Sequence, residues 1–296
     1  WALGYHQSRY SYASQDEALA TAWLLRAHRL PADVLYFDID YLDQLRMFTW
    51  NPLAFPDPAA MNLQLKAWGF RSVNIMEPMN RVDDPLHEWL SQAGFYLTGW
   101  DGQTLVNQIW FGLVSWLDFS RTPVRDWYKE TLKGFLGTYH VDAVWNDLNE
   151  PAQNYMPEAI YNFDGQPRTD AEARNLYALQ EARASYEAQR ELRPGVRPWT
   201  FSRSGFAGQH RYGANWGGDA DTSFASLRAN VEMSLSMGLS GQPFFGHDIG
   251  GFLGSPSPEL FLRWMTFSAY TPLFRNHAMN TSARREPWAF GEPYLT

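Results

Sequence analysis

Cysteine is absent from the 296 residues. That excludes disulfides, thiol nucleophiles and Cys-ligated zinc, and it leaves the compartment open. No uninterrupted apolar run reaches the ~18 residues expected of a membrane span. The opening "WALGYHQSRY" has neither the basic nor the apolar region of a secretory leader, so none is expected. Lys/Arg-rich runs are missing and the net charge is -8, which makes nucleic acid and anionic membranes poor partners. There is no glycine-rich phosphate loop, no H-x-H and no H-E-x-x-H.

Aromatic residues, by contrast, are plentiful: 14 Trp, 15 Tyr and 19 Phe in a chain that is 45% hydrophobic. A large core accounts for most of them. Some are expected to line a cleft and stack on flat ligand faces such as sugar rings.

Along the chain, strand-like and helix-like segments alternate. "WALGYH" (1–6), "DVLYFDID" (33–40), "RSVNIMEP" (71–78) and the stretch opening "VDAVWNDLNEPAQ" (141–153) read as four strands. "VRPWTFSRS" (196–204), "YGANWGGD" (212–219), "GQPFFGHDIGG" (241–251) and "YTPLFRNH" (270–277) read as four more. Helix starts are marked by Ser14 with Glu17, Asp57 with Pro58, Thr169 with Glu172, and Ser257 with Pro258. Further helices are expected over about 123–139 and 222–237, and the Thr169 helix is expected to run to about Arg193. An irregular excursion follows strand three, at about 79–120, with a helical piece near 86–92. Eight strands separated by helices predict a single (β/α)8 TIM barrel over 1–296, without its eighth helix; an open doubly wound sheet is the alternative.

In such a barrel the active site lies at the C-terminal ends of the strands. Those ends are polar here: Asp38 and Asp40, Asp147, Arg203, Trp216 and Asp219, His247 and Asp248, Arg275 and His277. A single acid at a strand end is commonly a helix cap or an ion-pair partner, and Asp40 and Asp221 fit that role. Glu150, ahead of Pro151, could bond loop amides and is expected to support the site from behind rather than meet the substrate. A whole ring of buried charges would need many partners and is harder to explain structurally. Two chemistries suit the ring. Asp38, Asp40, Asp248 and His277 could hold a divalent metal. Alternatively, two carboxyl groups in unlike environments could cleave a glycosidic bond.

The segments "FDIDYLD", "VWNDLNEP", "SRSGFAGQHRYGANWGGD", "GHDIGGF", "FRNH" and "EPWAFG" resemble, in order, glycoside hydrolase family 31, and within it the retaining α-glucosidases. The resemblance spans essentially the whole chain. It implies a β/α-barrel catalytic domain, flanking β domains not contained in this sequence, an oligosaccharide or α-glucoside substrate, and no cofactor. By this resemblance Asp147 is the nucleophile and Asp219 the acid/base. Asp38, Arg203 and His277 bind sugar hydroxyls, and Asp248 orders the pocket. Trp110, Trp145, Trp216 and Phe252 form aromatic walls. Leu148 stands where Met is usual, and "MEPMN" replaces a "DPGI"-like segment, which puts Asn80 in the pocket wall. "IWFG" replaces "WPG", and His247 replaces a small residue. The implied reaction is two-step hydrolysis of terminal α-linked glucose through a covalent glucosyl ester. Asp219 is expected to have a raised pKa, and Arg203 to help keep Asp147 ionised. α-Xylosidase, transglucosylase or lyase chemistry would use the same residues. A non-catalytic sugar-binding barrel and a metal-dependent hydrolase are the rivals from other classes.

Overall fold

The computed structural model describes residues 1–110, 112–152 and 156–295. Eight parallel strands close into a barrel: β1 Tyr5–Gln7, β2 Val34–Phe37, β3 Arg71–Met76, β4 Ala143–Asn146, β5 Thr200–Ser202, β6 Ala214–Trp216, β7 Phe245–Asp248 and β8 Leu273–Asn276. Each strand pairs with its sequence neighbours, and β8 closes on β1 through Tyr5 opposite Phe274 and Gln7 opposite Asn276. The strands are short and nearly all buried, as expected of a parallel sheet covered on its outer face by helices.

The helices begin where the capping residues predict. Ser14 accepts from the Glu17 amide (3.2 Å) ahead of α1, Gln15–Ala27. Asp57 accepts from the Ala60 amide (3.0 Å), with Pro58 opening α2, Pro58–Ala67. Gly69, at φ +81°, then turns the chain into β3. α3 spans Thr122–Thr138, and α4 (Tyr177–Leu192) packs beside it. α5 (Phe224–Leu239) starts at the cap Ser223, and α6 (Pro258–Ser268) at Ser257.

Three expectations change. The excursion is not irregular: Met79–Arg81, Asn107–Ile109 and Gly112–Trp116 form a three-stranded antiparallel sheet beside the short helix His87–Gln92. The predicted Thr169 helix is broken. Its capping box forms, but one turn (Asp170–Ala173) gives way to a 3-10 turn before α4. Asp170, which opens that turn, is buried, and its carboxylate accepts from the Tyr161 hydroxyl (2.9 Å) and pairs with Arg174 (3.4 Å). Between β5 and β6 the connection is a 3-10 turn, Gln209–Arg211, rather than a helix. After β8 the described residues contain the 3-10 turn Pro287–Phe290 and no α-helix. No helix among the described residues is long and apolar enough to cross a membrane.

The barrel interior is aromatic and is filled around one cation. Arg275 is fully buried, its guanidinium 4.3 Å from the Trp145 ring centroid, 4.9 Å from Tyr36 and Phe201, and 5.4 Å from Trp216. Its ion partner is Asp248 at 3.2 Å, also fully buried. Cation–π contact with four rings makes this desolvated charge tolerable.

Candidate active site

At the C-terminal ends of the strands lies a cavity of about 300 Å³. Asp38, Glu77, Asp147, Arg203, Asp219 and His277 supply its polar lining; Trp110, Trp145 and Phe252 are its aromatic walls. A larger hollow of about 690 Å³ opens elsewhere, between Trp1, Tyr186, Arg197 and Phe244, but no carboxyl side chain lines it. Chemistry, not size, separates the two.

The nucleophile candidate sits at a forced turn. Leu148 adopts φ +52°, a left-handed conformation costing a non-glycine residue about 1 kcal/mol or more. The turn is held by Asn149, whose Nδ2 donates to Glu181 and to Ser202 (both 2.8 Å) and whose Oδ1 accepts from the Ser204 amide (3.0 Å). Ser202 and Ser204 flank Arg203, so one asparagine fixes the Asp147 loop to the strand end that presents the arginine.

Arg203 gathers three carboxylates. Its Nε lies 3.2 Å from Asp147 Oδ1, and Nη1 lies 4.0 Å from Asp219 Oδ2. Nε and Nη2 donate to Glu150 Oε1 and Oε2, both at 2.8 Å, a bidentate pair. Glu150 is therefore an arginine partner and not a ligand of loop amides. Burial alone would push Arg203 down, but the Asp147, Glu150 and Asp219 charges outweigh it and hold it firmly protonated.

The two principal acids differ in surroundings. Asp147 is enclosed, its side chain 14% exposed, whereas the Asp219 side chain is 50% exposed. Burial pushes Asp147 up to about 6 against the pull of Arg203. Asp219 is also raised, by burial first, with Arg203 and Arg275 opposing. The expectation for Asp219 is met in direction. For Asp147, Arg203 stands close as foreseen, yet desolvation outweighs it in the open cavity.

Two glycines precede Asp219 for separate reasons. A Cβ on Gly217 would lie 2.6 Å from His247 Cε1, and Gly218 adopts φ +72°. His247 itself does not reach the mouth. Its Nε2 faces the Asn230 carbonyl (2.9 Å) and Ser234 Oγ (3.1 Å) on α5, and burial pulls it down to about 4.

Across the cavity, Asp38 Oδ1 accepts from the Ile39 amide (2.7 Å), while Oδ2 lies 3.5 Å from His277 Nε2. His277 Nδ1 meets Ser8 Oγ at 2.7 Å, and its ring stacks on Phe252 at 5.0 Å. Burial drives Asp38 up and His277 down, so both favour their neutral forms and offer hydrogen bonds more than charge. Leu148 and Ile39 complete the wall.

Several expected residues lie elsewhere. Asn80 donates to Asp84 (3.0 Å) within the excursion sheet and is not in the cavity wall. Trp216 lies beneath the cavity, stacked on Phe201 at 4.5 Å, and Asp248 is beneath it too, held by Arg275 and raised to about 7 by burial. Asp40 is exposed. The metal set Asp38, Asp40, Asp248 and His277 is therefore not assembled, and no group of three His, Asp or Glu among the described residues is placed to hold an ion. Phe111 of "IWFG" and Gln153 of the fourth-strand segment fall outside the described residues. Conversely, Tyr10, Ile75, Glu77, Met279 and Asn280 line the cavity without having been singled out.

Among the four carboxyl residues lining this cavity at the mouth of a parallel barrel, Asp147 and Asp219 supply the pair that glycoside hydrolysis requires. The sequence pattern of the "Glycosyl hydrolases family 31 TIM-barrel domain" matches residues 1–296. The chain belongs to that family. It is 36% identical to "Alpha-glucosidase 2" of Bacillus thermoamyloliquefaciens over 99% of its length and 38% of that protein's. It is likewise 36% identical to human "Neutral alpha-glucosidase AB", over 97% of this chain and 31% of that one. Among solved structures, the catalytic subunit in the heterodimeric complex of ER glucosidase II superposes with a TM-score of 0.93 at 33% identity, covering 99% of this chain and 33% of that chain. A Flavobacterium johnsoniae dextranase complexed with glucose gives 0.93 at 25% identity, covering 100% and 38%. The chain thus spans less than two-fifths of the length of the relatives it matches.

Proposed function

We propose that this barrel is the catalytic domain of a retaining α-glucosidase, working beside flanking β domains on terminal α-linked glucose of oligosaccharides. The observation that carries the reading is one guanidinium, Arg203, reaching both Asp147 and Asp219 in a single sugar-sized cavity. Asp147, on the enclosed side, attacks the anomeric carbon and forms a glucosyl ester. Asp219, on the solvent side, is placed to protonate the departing oxygen and then to deprotonate the incoming water. A sugar in the cavity removes water from Asp219 and pushes its pKa further up, while the oxocarbenium-like charge developing at the anomeric carbon favours ionised Asp147. The names of the relatives at 36% identity favour glucose over other sugars.

The test uses the full-length protein with maltose, isomaltose and an aryl α-xyloside, following anomeric products by NMR. Release of α-glucose first is expected. Asp147→Asn should cut turnover by orders of magnitude, and Asp219→Ala should hurt poor leaving groups more than activated aryl glucosides. Release of β-glucose first, or near-normal turnover in Asp147→Asn, would overturn the assignment.

A further inference from the structure

Glu77 closes β3, between the strand end bearing Asp38 and the one bearing Asp147. It lines the cavity, yet is 2% exposed, and its Oε2 meets no hydrogen-bond partner among the described residues. A buried carboxyl with an unused oxygen is costly unless something in the working molecule satisfies it. The protein does not do so from its own side: the nearby cation, Arg203, is already committed to Glu150 and Asp147.

We propose that Glu77 is a further substrate-contacting residue, whose carboxyl hydrogen-bonds a ring hydroxyl of the sugar seated over Asp147. The proposal rests on the α-glucosidase reading and deepens it. Burial, then the Asp147 charge, drive Glu77 well above the usual carboxylate range, with Arg203 opposing too weakly to reverse this. Both causes favour the protonated form of Glu77. A protonated carboxyl is donor and acceptor at once, which suits a hydroxyl and not a cation. The same proton keeps a second negative charge away from the nucleophile. A substrate lacking the matching hydroxyl leaves a buried donor unpaired, and such sites discriminate strongly.

The experiment is a matrix of the full-length wild type, Glu77→Gln and Glu77→Leu against an aryl α-glucoside and its 2-, 3-, 4- and 6-deoxy analogues, with thermal denaturation of each variant. Glu77→Gln keeps a donor and an acceptor and should stay within about tenfold of wild type in kcat/KM. Glu77→Leu should lose about ten- to a hundredfold on the parent glucoside. On one deoxy analogue the variants and wild type should converge, because the contact is already gone. An equal loss of both variants across all analogues would overturn the contact and leave only packing. If Glu77→Leu does not fold, Glu77→Ala takes its place, and it must likewise converge with wild type on one deoxy analogue. Wild type inactive on every α-glucoside would instead refute the parent reading.

Discussion

Arg203 serves both acids, so its removal should disturb both of them. Consider Arg203→Met in the full-length protein. At 3.2 Å from Asp147, a full unit charge in surroundings of effective dielectric ~20 would contribute about 5 kcal/mol. The guanidinium spreads its charge and shares it with Glu150, so about half, ~2.5 kcal/mol, is a working figure. That is roughly two pH units. Asp147, at about 6 with the arginine in place, would then ionise near about 8 without it. At pH 7 the ionised fraction falls from about nine-tenths to about one-tenth, a roughly tenfold loss before any lost sugar contact is counted. The assay is the pH dependence of kcat/KM on an activated aryl α-glucoside, whose leaving group needs little protonation. The acidic limb should move alkaline by roughly two units in Arg203→Met. Arg203→Lys keeps a charge but not the bidentate fork, so its limb should stay near the wild type while its rate falls. An acidic limb unmoved in Arg203→Met would refute the claim that this cation sets the ionisation of Asp147.

Two other perturbations probe the supports behind the acids. Glu181 is buried, accepts from Asn149, and is pushed up to about 8 by desolvation. Unfolded, it ionises near about 4.3, so between those values the unfolded chain loses a proton that the folded one retains. Its contribution to stability is present below the unfolded value and is lost as pH rises through the folded one. Glu181→Gln should therefore gain on the wild type between pH 5 and 8, by up to ~1.4 kcal/mol per pH unit; parallel stability curves from chemical denaturation across that range would refute it. Gly217→Ala drives a methyl group against the His247 ring, with overpacking worth about 1–3 kcal/mol. It should lower the melting temperature and displace Asp219, slowing hydrolysis of poor leaving groups most. Adding His247→Ala should recover part of both losses, and no recovery would mean that the imidazole is not the obstacle.

What the sequence disclosed and withheld follows from the range of each interaction. Capping is local, so Ser14, Asp57 and Ser257 announced their helices, and the period of strand and helix gave the barrel. The strand-end rule placed Asp38, Asp147, Arg203, Asp219 and His277 on one cavity because the parallel topology alone brings them together. It over-reached with His247 because the side chains of a barrel strand alternate inward and outward. His247 precedes the inward-facing Asp248, and its imidazole goes out to α5. Asp248, which faces inward, is withheld from the cavity because Arg275 holds it in the layer below. That layer could not be foreseen, since four aromatic rings closing on an arginine come from four different strands. Glu77 is the opposite case. It closes "RSVNIMEP" as plainly as Asp147 closes its own strand, and the same rule reaches it; its partner is what no spacing could show. In this mouth Arg203 serves three carboxylates while, among the described residues, Glu77 and Glu181 have no cation of their own. With cations so scarce, burial favours the protonated forms of Glu77 and Glu181, and the proposed reaction would draw on the same scarcity to hold one acid charged beside one protonated.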